Sequence, residues 1–171
     1  MKRSIACCAA LLCGLALAGC PGPGPGPGNG TGAEPADLEA IAEHIREEEA
    51  LRVEGWAARD AGRIAAFYAP DASLVLPCLP RMTGSAPIRD RIAAMLRDRN
   101  FELRFDADRV DVAASGDLAY ALGTYFARGS HPATGRPQTE VGNYLTAYRR
   151  QRDGAWKAVG DIAVPGGPPE A

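Results

Sequence analysis

The spacing of apolar residues changes once along this chain, near residue 100, and that change limits the folds open to it. Before it, apolar residues recur every three or four positions, as on one face of a helix. From Phe101 onward apolar and polar residues alternate, with turn signals at Ser115-Gly116-Asp117 and Asp153-Gly154. Helices followed by an antiparallel meander predict an α+β domain, in which the helices lie on one face of a curved sheet.

The predicted elements fill a single domain over residues 37–164. Asp37 is a suitable N-cap for the first helix, and Glu39 places a negative charge in its first turn. The predicted helices cover residues 37–59, 61–68 and 85–97, and the predicted strands cover 73–76, 101–112, 118–128, 139–150 and 155–164. We expect residues 165–171 to form a disordered tail.

The first 20 residues have the layout of a secretion signal. Lys2 and Arg3 precede an uncharged apolar run over residues 5–18, and small residues lead to Cys20. The run is shorter than the roughly 20 apolar residues that span a bilayer. The ending Leu17-Ala18-Gly19-Cys20 resembles the lipobox of bacterial lipoproteins, in which the leader is removed and the cysteine is acylated, for example with palmitate. The alternative is an ordinary signal peptide that leaves Cys20 as a free thiol.

The lipoprotein interpretation implies a location and a membrane partner. Residues 1–19 form the predicted signal peptide, and residues 20–36 form the lipidated cysteine and a tether that contains four Pro-Gly pairs. We therefore expect the domain to be anchored by its N-terminal lipid in the cell envelope, at the periplasmic face of the outer membrane rather than at the inner membrane.

The charge balance argues against nucleic acid as a partner. The chain has 19 basic and 21 acidic residues, and loss of Lys2 and Arg3 with the leader leaves a net charge near −4. We expect no cofactor and no metal, because His44 and His131 are far apart and only Cys78 lies outside the leader and anchor. Cys78 is either buried and inert or a free reactive thiol.

Six short strings occur in an informative order and spacing. They are FYAPDA at 67–72, Gly84 followed by Ile88-Arg89, SGDLAY at 115–120, GTY at 123–125, GNYL at 142–145 and DGAWKAVGDI at 153–162. Together they resemble the SnoaL-like, ketosteroid-isomerase-like branch of the nuclear transport factor 2-like superfamily, over nearly all of residues 37–162.

The resemblance implies a cone-shaped fold. In this family a strongly bent antiparallel sheet wraps around a long N-terminal helix and two shorter helices, and encloses an apolar pocket. Relatives often form homodimers through the outer face of the sheet, and we expect the same here. The family contains isomerases, cyclases, dehydratases and non-catalytic binding modules, so the fold alone does not give an activity.

Two charged residues fall on the apolar stripe of the first helix. The stripe is defined by Leu38, Ile41, Ile45 and Trp56. Glu49 and Arg52 lie on it three residues apart, so they can form an ion pair. If the stripe faces the interior, this pair lines a pocket that ligand or water reaches. If the helix is slightly rotated, both residues stay at its solvent edge.

Asp161 is the main candidate for catalysis. It lies in an otherwise small and apolar strand, and it resembles the strand aspartate that is the proton-shuttling base in cyclase members of the family. Such a base can take a proton from the carbon next to a carbonyl, and Tyr68 or Tyr125 could polarise that carbonyl. The structural alternative ties Asp161 to backbone N–H groups or to an arginine such as Arg104.

The predicted function is therefore binding of a small, largely apolar ligand. The predicted pocket comprises Glu49, Arg52, Trp56, Phe67 and Tyr144. One alternative is an isomerase-like or cyclase-like enzyme with Asp161 as general base. Another is a protein-interaction or dimerisation module. The chain departs from related sequences after Ile162, where it reads Ala163-Val164 instead of a polar Asn-Ser pair.

Overall fold

The computed structural model describes residues 37–131 and 133–166. The predicted signal peptide, Cys20 and the tether lie outside the described residues, as do residues 167–171 of the predicted tail. Within the described part of the chain, no helix is long and apolar enough to cross a membrane.

Three helices pack with one six-stranded sheet. The elements are α1 (Leu38–Ala57), α2 (Ala61–Ala65), β1 (Tyr68–Val75), β2 (Met82–Thr83), α3 (Ser85–Leu96), β3 (Glu102–Val112), β4 (Leu118–Ser130), β5 (Pro137–Arg150) and β6 (Trp156–Pro165). The strand order is β2-β1-β6-β5-β4-β3. This confirms the predicted α+β class, with a long N-terminal helix, two shorter helices and a curved, open sheet.

The sheet differs from the expected one at one edge, where the short strand β2, which the sequence does not predict, pairs with β1. Strands β3 to β6 form the predicted antiparallel meander. Strand β1, however, runs parallel to β6. Strand β2 and helix α3 carry the chain from β1 to β3 at the opposite edge, and the meander then returns it to β6 beside β1, so the sheet is mixed rather than wholly antiparallel.

The prediction for the segment around Pro70 is wrong. The sequence predicts a helix to residue 68 and a strand from residue 73, whereas α2 ends at Ala65 and β1 begins at Tyr68. The pairing of β1 with β6 is irregular between Tyr68 and Ser73. Because proline cannot donate to a regular ladder, such an irregularity is where a strand tolerates it.

The C-terminal boundary also lies beyond its predicted position. Strand β6 runs through Pro165. The N–H of Gly166 donates to the carbonyl of Val141 at 3.0 Å. Pro165 therefore belongs to the sheet, and Gly166 is hydrogen-bonded to it.

The first two helices begin at side-chain caps. The Asp37 carboxylate accepts from the N–H of Ala40 at 3.1 Å, as the sequence predicts, and Asp60 accepts from the N–H of Arg63 at 2.9 Å. These bonds satisfy N–H groups that have no partner within their helix. The caps fix the start of α1 and the sharp turn into α2.

Arg59 ties the end of α1 to the end of α3. Its guanidinium donates to the carbonyls of Phe101 at 2.8 Å and Asp98 at 2.7 Å, and also to that of Leu96. The last carbonyls of a helix lack intrahelical partners. Arg59 donates to carbonyls at and just after the end of α3, and thereby holds α3 against the residues that follow α1.

The hydrophobic core lies between the helices and the inner face of the sheet. Its members include Ile45, Ile64, Ile88, Ile92, Tyr148 and Trp156. Burying a large apolar side chain contributes about 1.5–3 kcal/mol. Leu38, at the start of the predicted stripe, is exposed instead because it lies in the first turn of α1.

An irregularity in β3 bends the sheet opposite Gly123. The register of β3 against β4 shifts between Ala107 and Arg109. A bulge of this kind bends a strand and increases its twist. The backbones approach so closely here that a Cβ on Gly123 would lie 1.9 Å from the carbonyl oxygen of Asp106. Glycine at 123 therefore permits the bend.

We expect Gly123→Ala to lower the free energy of unfolding by at least about 2 kcal/mol, because the new methyl group forces the bulge apart. Gly160→Ala on β6 is the control, since a Cβ there meets nothing closer than Ala147 at 3.9 Å. Urea unfolding measures both. Equal unfolding midpoints for the two variants would contradict the role given to Gly123.

Candidate functional site

A cavity lies between the inner face of the sheet and a wall formed by α1, α3 and the segment after β1. Its volume is about 590 Å³. Its apolar lining includes Trp56, Leu74, Ile92, Met95, Leu103 and Phe105. Small-molecule sites have volumes of roughly 300–1,000 Å³ and mostly apolar walls with a few polar groups. The cavity therefore has the size and lining of a ligand site.

Arg52 lies at one end of this cavity, between two buried carboxylates. Its Nη1 donates to Asp161 Oδ2 at 3.2 Å, and its Nη2 donates to Glu49 Oε2 at 3.2 Å and to Thr146 Oγ1 at 3.1 Å. Its guanidinium stacks over the ring of Phe105, 4.6 Å from the ring centroid. Glu49 and Arg52 are 4% and 3% exposed. They face the interior and not the solvent edge.

Tyrosine hydroxyls complete the hydrogen bonds of both carboxylates. Tyr68 Oη donates to Asp161 Oδ2 at 2.5 Å. Tyr144 donates to Glu49 Oε2 at 3.1 Å, and Tyr148 donates to Glu49 Oε1. The second oxygen of Asp161, Oδ1, has one long contact, to Thr146 Oγ1 at 3.4 Å. We call Glu49, Arg52, Tyr68, Tyr144, Thr146, Tyr148 and Asp161 the polar network.

The network keeps its tyrosines neutral and its arginine charged. Burial raises the pKa of Tyr68 and Tyr144 well above 10, and the nearby carboxylates of Asp161 and Glu49 raise it further. Burial alone lowers the pKa of Arg52, but the negative charges of Glu49 and Asp161 outweigh it, so the pKa is raised. At neutral pH each tyrosine is therefore a donor to a carboxylate.

A family model for the SnoaL-like domain matches residues 50–159. The chain belongs to this family. A comparison with curated proteins finds no match. The expected resemblance is thus confirmed at the level of the family.

Solved structures show that the SnoaL-like domain has the same fold as several bacterial proteins. A nuclear transport factor 2-like superfamily protein from Salmonella enterica serovar Typhimurium is 14% identical, covers 75% of this chain and 93% of its own, and has a TM-score of 0.63. A ketosteroid isomerase-like protein from Erwinia carotovora atroseptica is 18% identical, with coverages of 73% and 96% and a TM-score of 0.61. A nuclear transport factor 2-like protein with a cystatin-like fold from Novosphingobium aromaticivorans is 21% identical, with coverages of 73% and 81% and a TM-score of 0.60. At these identities the likeness concerns the fold alone.

The SnoaL-like domain brings most of the residues proposed from sequence to the cavity. Arg52, Trp56, Tyr68, Tyr125, Tyr144 and Asp161 line it. Glu49 does not line the cavity, but it forms an ion pair with Arg52, which does. Phe67 is not part of the lining, because it lies in the turn between α2 and β1. The binding and catalytic roles of these residues stay predictions.

Two partnerships differ from those considered in the sequence. Arg104 forms its ion pair with Glu102 on its own strand, at 2.5 Å. The arginine bound to Asp161 is therefore Arg52 instead. Tyr125 donates its hydroxyl to Glu140 at 2.7 Å, so that hydroxyl is not bonded to Asp161. Of the candidate tyrosines, Tyr68 is the one that meets Asp161 directly.

The sequence reading missed Thr146 and Tyr148. They alternate with Tyr144 along β5, and all three are buried. The period-two pattern of this strand could have placed them on one face with Tyr144. The pattern does not indicate, however, that this face contacts the charged residues of α1.

Cys78 is an exposed free cysteine, so of the two alternatives the buried, inert thiol is wrong. It lies in the turn between β1 and β2 with a φ of 58°. Among the described residues, no cluster of three histidine, cysteine or acidic side chains could hold a metal ion.

We expect Arg52→Met to lower the free energy of unfolding by about 3–5 kcal/mol, because it leaves two buried carboxylates without their cation. Arg63→Met is the control: it removes an exposed ion pair with Glu54, 2.9 Å long, whose loss costs about 1 kcal/mol or less. Denaturant unfolding measures both.

Neutralising the carboxylates distinguishes lost charge balance from lost packing. The triple variant Arg52→Met, Glu49→Gln and Asp161→Asn should recover part of the stability that Arg52→Met loses. If the triple variant is less stable than the single one, the loss does not come from uncompensated charge.

Proposed function

We propose that the SnoaL-like domain binds a small, largely apolar molecule in its cavity. The observation that carries the proposal is the cavity of about 590 Å³, which has apolar walls and the polar network at one end. Apolar walls supply affinity through burial, while Asp161 and Tyr68 supply a fixed polar contact that orients the ligand. The ketosteroid isomerase-like relative with the same fold is compatible with such a role.

We also propose that this binding takes place at the cell envelope. The supporting observation is the Leu17-Ala18-Gly19-Cys20 ending of an apolar leader, followed by the Pro/Gly-rich segment. Acylation of Cys20 at two positions or more would give stable anchoring, because a single acyl chain binds a bilayer only marginally. The tether would then leave the domain free to meet ligands near the membrane.

We propose in addition that the protein forms a homodimer through the outer face of the sheet. Leu122, Leu145 and Ile162 are partners in register across β4, β5 and β6, and all three are exposed. Val141 and Val164 extend this apolar row. Contiguous exposed apolar surface is typical of contact surfaces between proteins. A module for interaction alone would not need the cavity, so we propose that dimerisation accompanies ligand binding.

A cavity-filling substitution tests the binding proposal. We expect some members of a panel of apolar ketones, alcohols and acids to raise the melting temperature of the full-length protein by several degrees. Saturation at 100 times Kd stabilises a protein by about 2.7 kcal/mol. Ala127→Phe should abolish most of this effect, because Ala127 lines the cavity.

Ala114→Phe is the matched control, since Ala114 is exposed in the turn between β3 and β4. It should keep the wild-type response. The binding proposal fails if no compound of the panel stabilises the wild type, or if both phenylalanine variants respond equally.

A second candidate function is proton transfer next to a carbonyl. The observation in its favour is the 2.5 Å contact between Tyr68 Oη and Asp161 Oδ2 on the cavity wall. Arg52 and Tyr68 both donate to Oδ2. Oδ1, with its single long contact, is therefore the oxygen that could accept a proton from a ligand.

Deuterium exchange distinguishes an enzyme from a binding module. If Asp161 is a base, the wild type should accelerate exchange of the α-protons of 2-decalone with D₂O, and Asp161→Asn should remove the acceleration. Tyr125→Phe is the control, because the Tyr125 hydroxyl bonds to Glu140. Nuclear magnetic resonance follows the exchange. Binding of 2-decalone without exchange would leave the binding proposal and exclude this reaction for that ketone.

A further inference from the structure

The cavity wall contains a second arginine whose charge is not balanced. Arg91 lies on α3 beside the buried Ile92 and lines the cavity. Its Nε is buried without a hydrogen-bond partner, as is the Nε of Arg52. Among the described residues, no ion pair or hydrogen bond to Arg91 is formed. Arg52, by contrast, has two carboxylate partners. Arg91 is therefore a half-buried cation on a largely apolar wall, and its guanidinium has no carboxylate partner among the described residues.

The carboxylates that share the cavity with Arg91 already have other donors. Asp98 accepts from the backbone N–H groups of Asn100 at 2.9 Å and of Ser130 at 2.5 Å. Glu140 accepts from the hydroxyl of Tyr125. Arg128, exposed at the same cavity, adds a further positive charge. Their negative charges remain, but among the described residues none of these carboxylates forms an ion pair with Arg91, so its guanidinium is open to a carboxylate from a ligand.

The polar network, in contrast, disfavours an anionic ligand group. It holds two carboxylates, Glu49 and Asp161, against the one guanidinium of Arg52. Its formal charge is −1, so a ligand anion placed there would be repelled in a medium of low dielectric constant. A ligand group that donates a hydrogen bond suits Asp161 Oδ1 better. The two polar regions of the cavity therefore impose an orientation on a ligand.

We propose that the ligand is an amphiphilic carboxylic acid whose carboxylate binds Arg91. The planar guanidinium can donate two parallel hydrogen bonds to a carboxylate, which makes such pairs strong and directional. The apolar body of the acid then lies along Met95 and Phe105 in the direction of Asp161. This inference rests on the proposed function and names the class of ligand for the same cavity.

The test compares two ligands that differ only in the charged group. Decanoate and 1-decanol are titrated into the full-length protein at pH 7.5, and the fluorescence of Trp56 in the cavity wall reports binding alongside calorimetry. We expect decanoate to bind at least about tenfold more tightly than 1-decanol. Arg91→Gln should remove this preference by weakening the binding of decanoate, and the binding of 1-decanol that remains shows that the variant is folded.

Arg89→Gln is the matched control on the same helix. Arg89 is exposed, does not line the cavity and contacts Asp90 at 3.4 Å. It should leave both affinities unchanged. Arg91→Lys, which retains the charge but not the bidentate geometry, should retain part of the preference for decanoate.

The outcomes separate this inference from the function on which it rests. Equal affinities of the wild type for decanoate and 1-decanol, or equal losses of decanoate binding in Arg91→Gln and Arg89→Gln, overturn the carboxylate inference and leave ligand binding intact. If neither ligand binds to the wild type and none of the apolar panel stabilises it, the proposed function fails and the inference fails with it.

Discussion

The position of Arg52 between Glu49 and Asp161 is the constraint on which the rest of the molecule depends. It joins α1 to β6 through Asp161 and to β5 through Thr146. A buried ion pair does little for stability by itself, because desolvation offsets the attraction between the charges. Its consequence is geometric: this placement of the helix against the sheet gives Glu49, Arg52 and Asp161 a partner of opposite charge. The core packs around that placement.

The cavity follows from this placement together with the bend of the sheet. The polar network fixes the helix at one end, and the bulge opposite Gly123 curves β3 and β4. Arg59 holds α3 as the remaining wall. The space between the helices and the curved strands is not filled by side chains, and it forms the cavity. A rigid scaffold with an apolar interior volume is the physical basis for both candidate activities.

Much of the fold could be predicted from the sequence, because apolar periodicity reports which face of an element is buried. The meander from β3 to β6 is the clearest case, since alternation and the turn glycines agree over its length. The segment around Pro70 was not predictable in the same way. Its strand depends on an irregular parallel pairing with β6, a partner about 90 residues away in the chain.

The candidate site was only partly accessible to sequence reasoning. Glu49 and Arg52 stand out because charges on an apolar stripe break a local rule, and Asp161 stands out in the same way. Their partners could not be assigned, because periodicity gives the face of a residue but not its neighbour across the core. Arg104 was thus a reasonable partner for Asp161, and Tyr125 a reasonable group to act beside it, although both bond elsewhere. Arg91 carries no local signal at all, since arginine is ordinary on a helix.

The contrast between the polar network and the α3 wall has a consequence for how such a domain can diverge. Residues of the network depend on one another, so viable changes there must come in sets. The side chains that α3 presents to the cavity make few polar bonds with the rest of the protein, and they can change one at a time. A lineage could therefore acquire new ligands by drift along one helix while the buried charges keep the architecture constant.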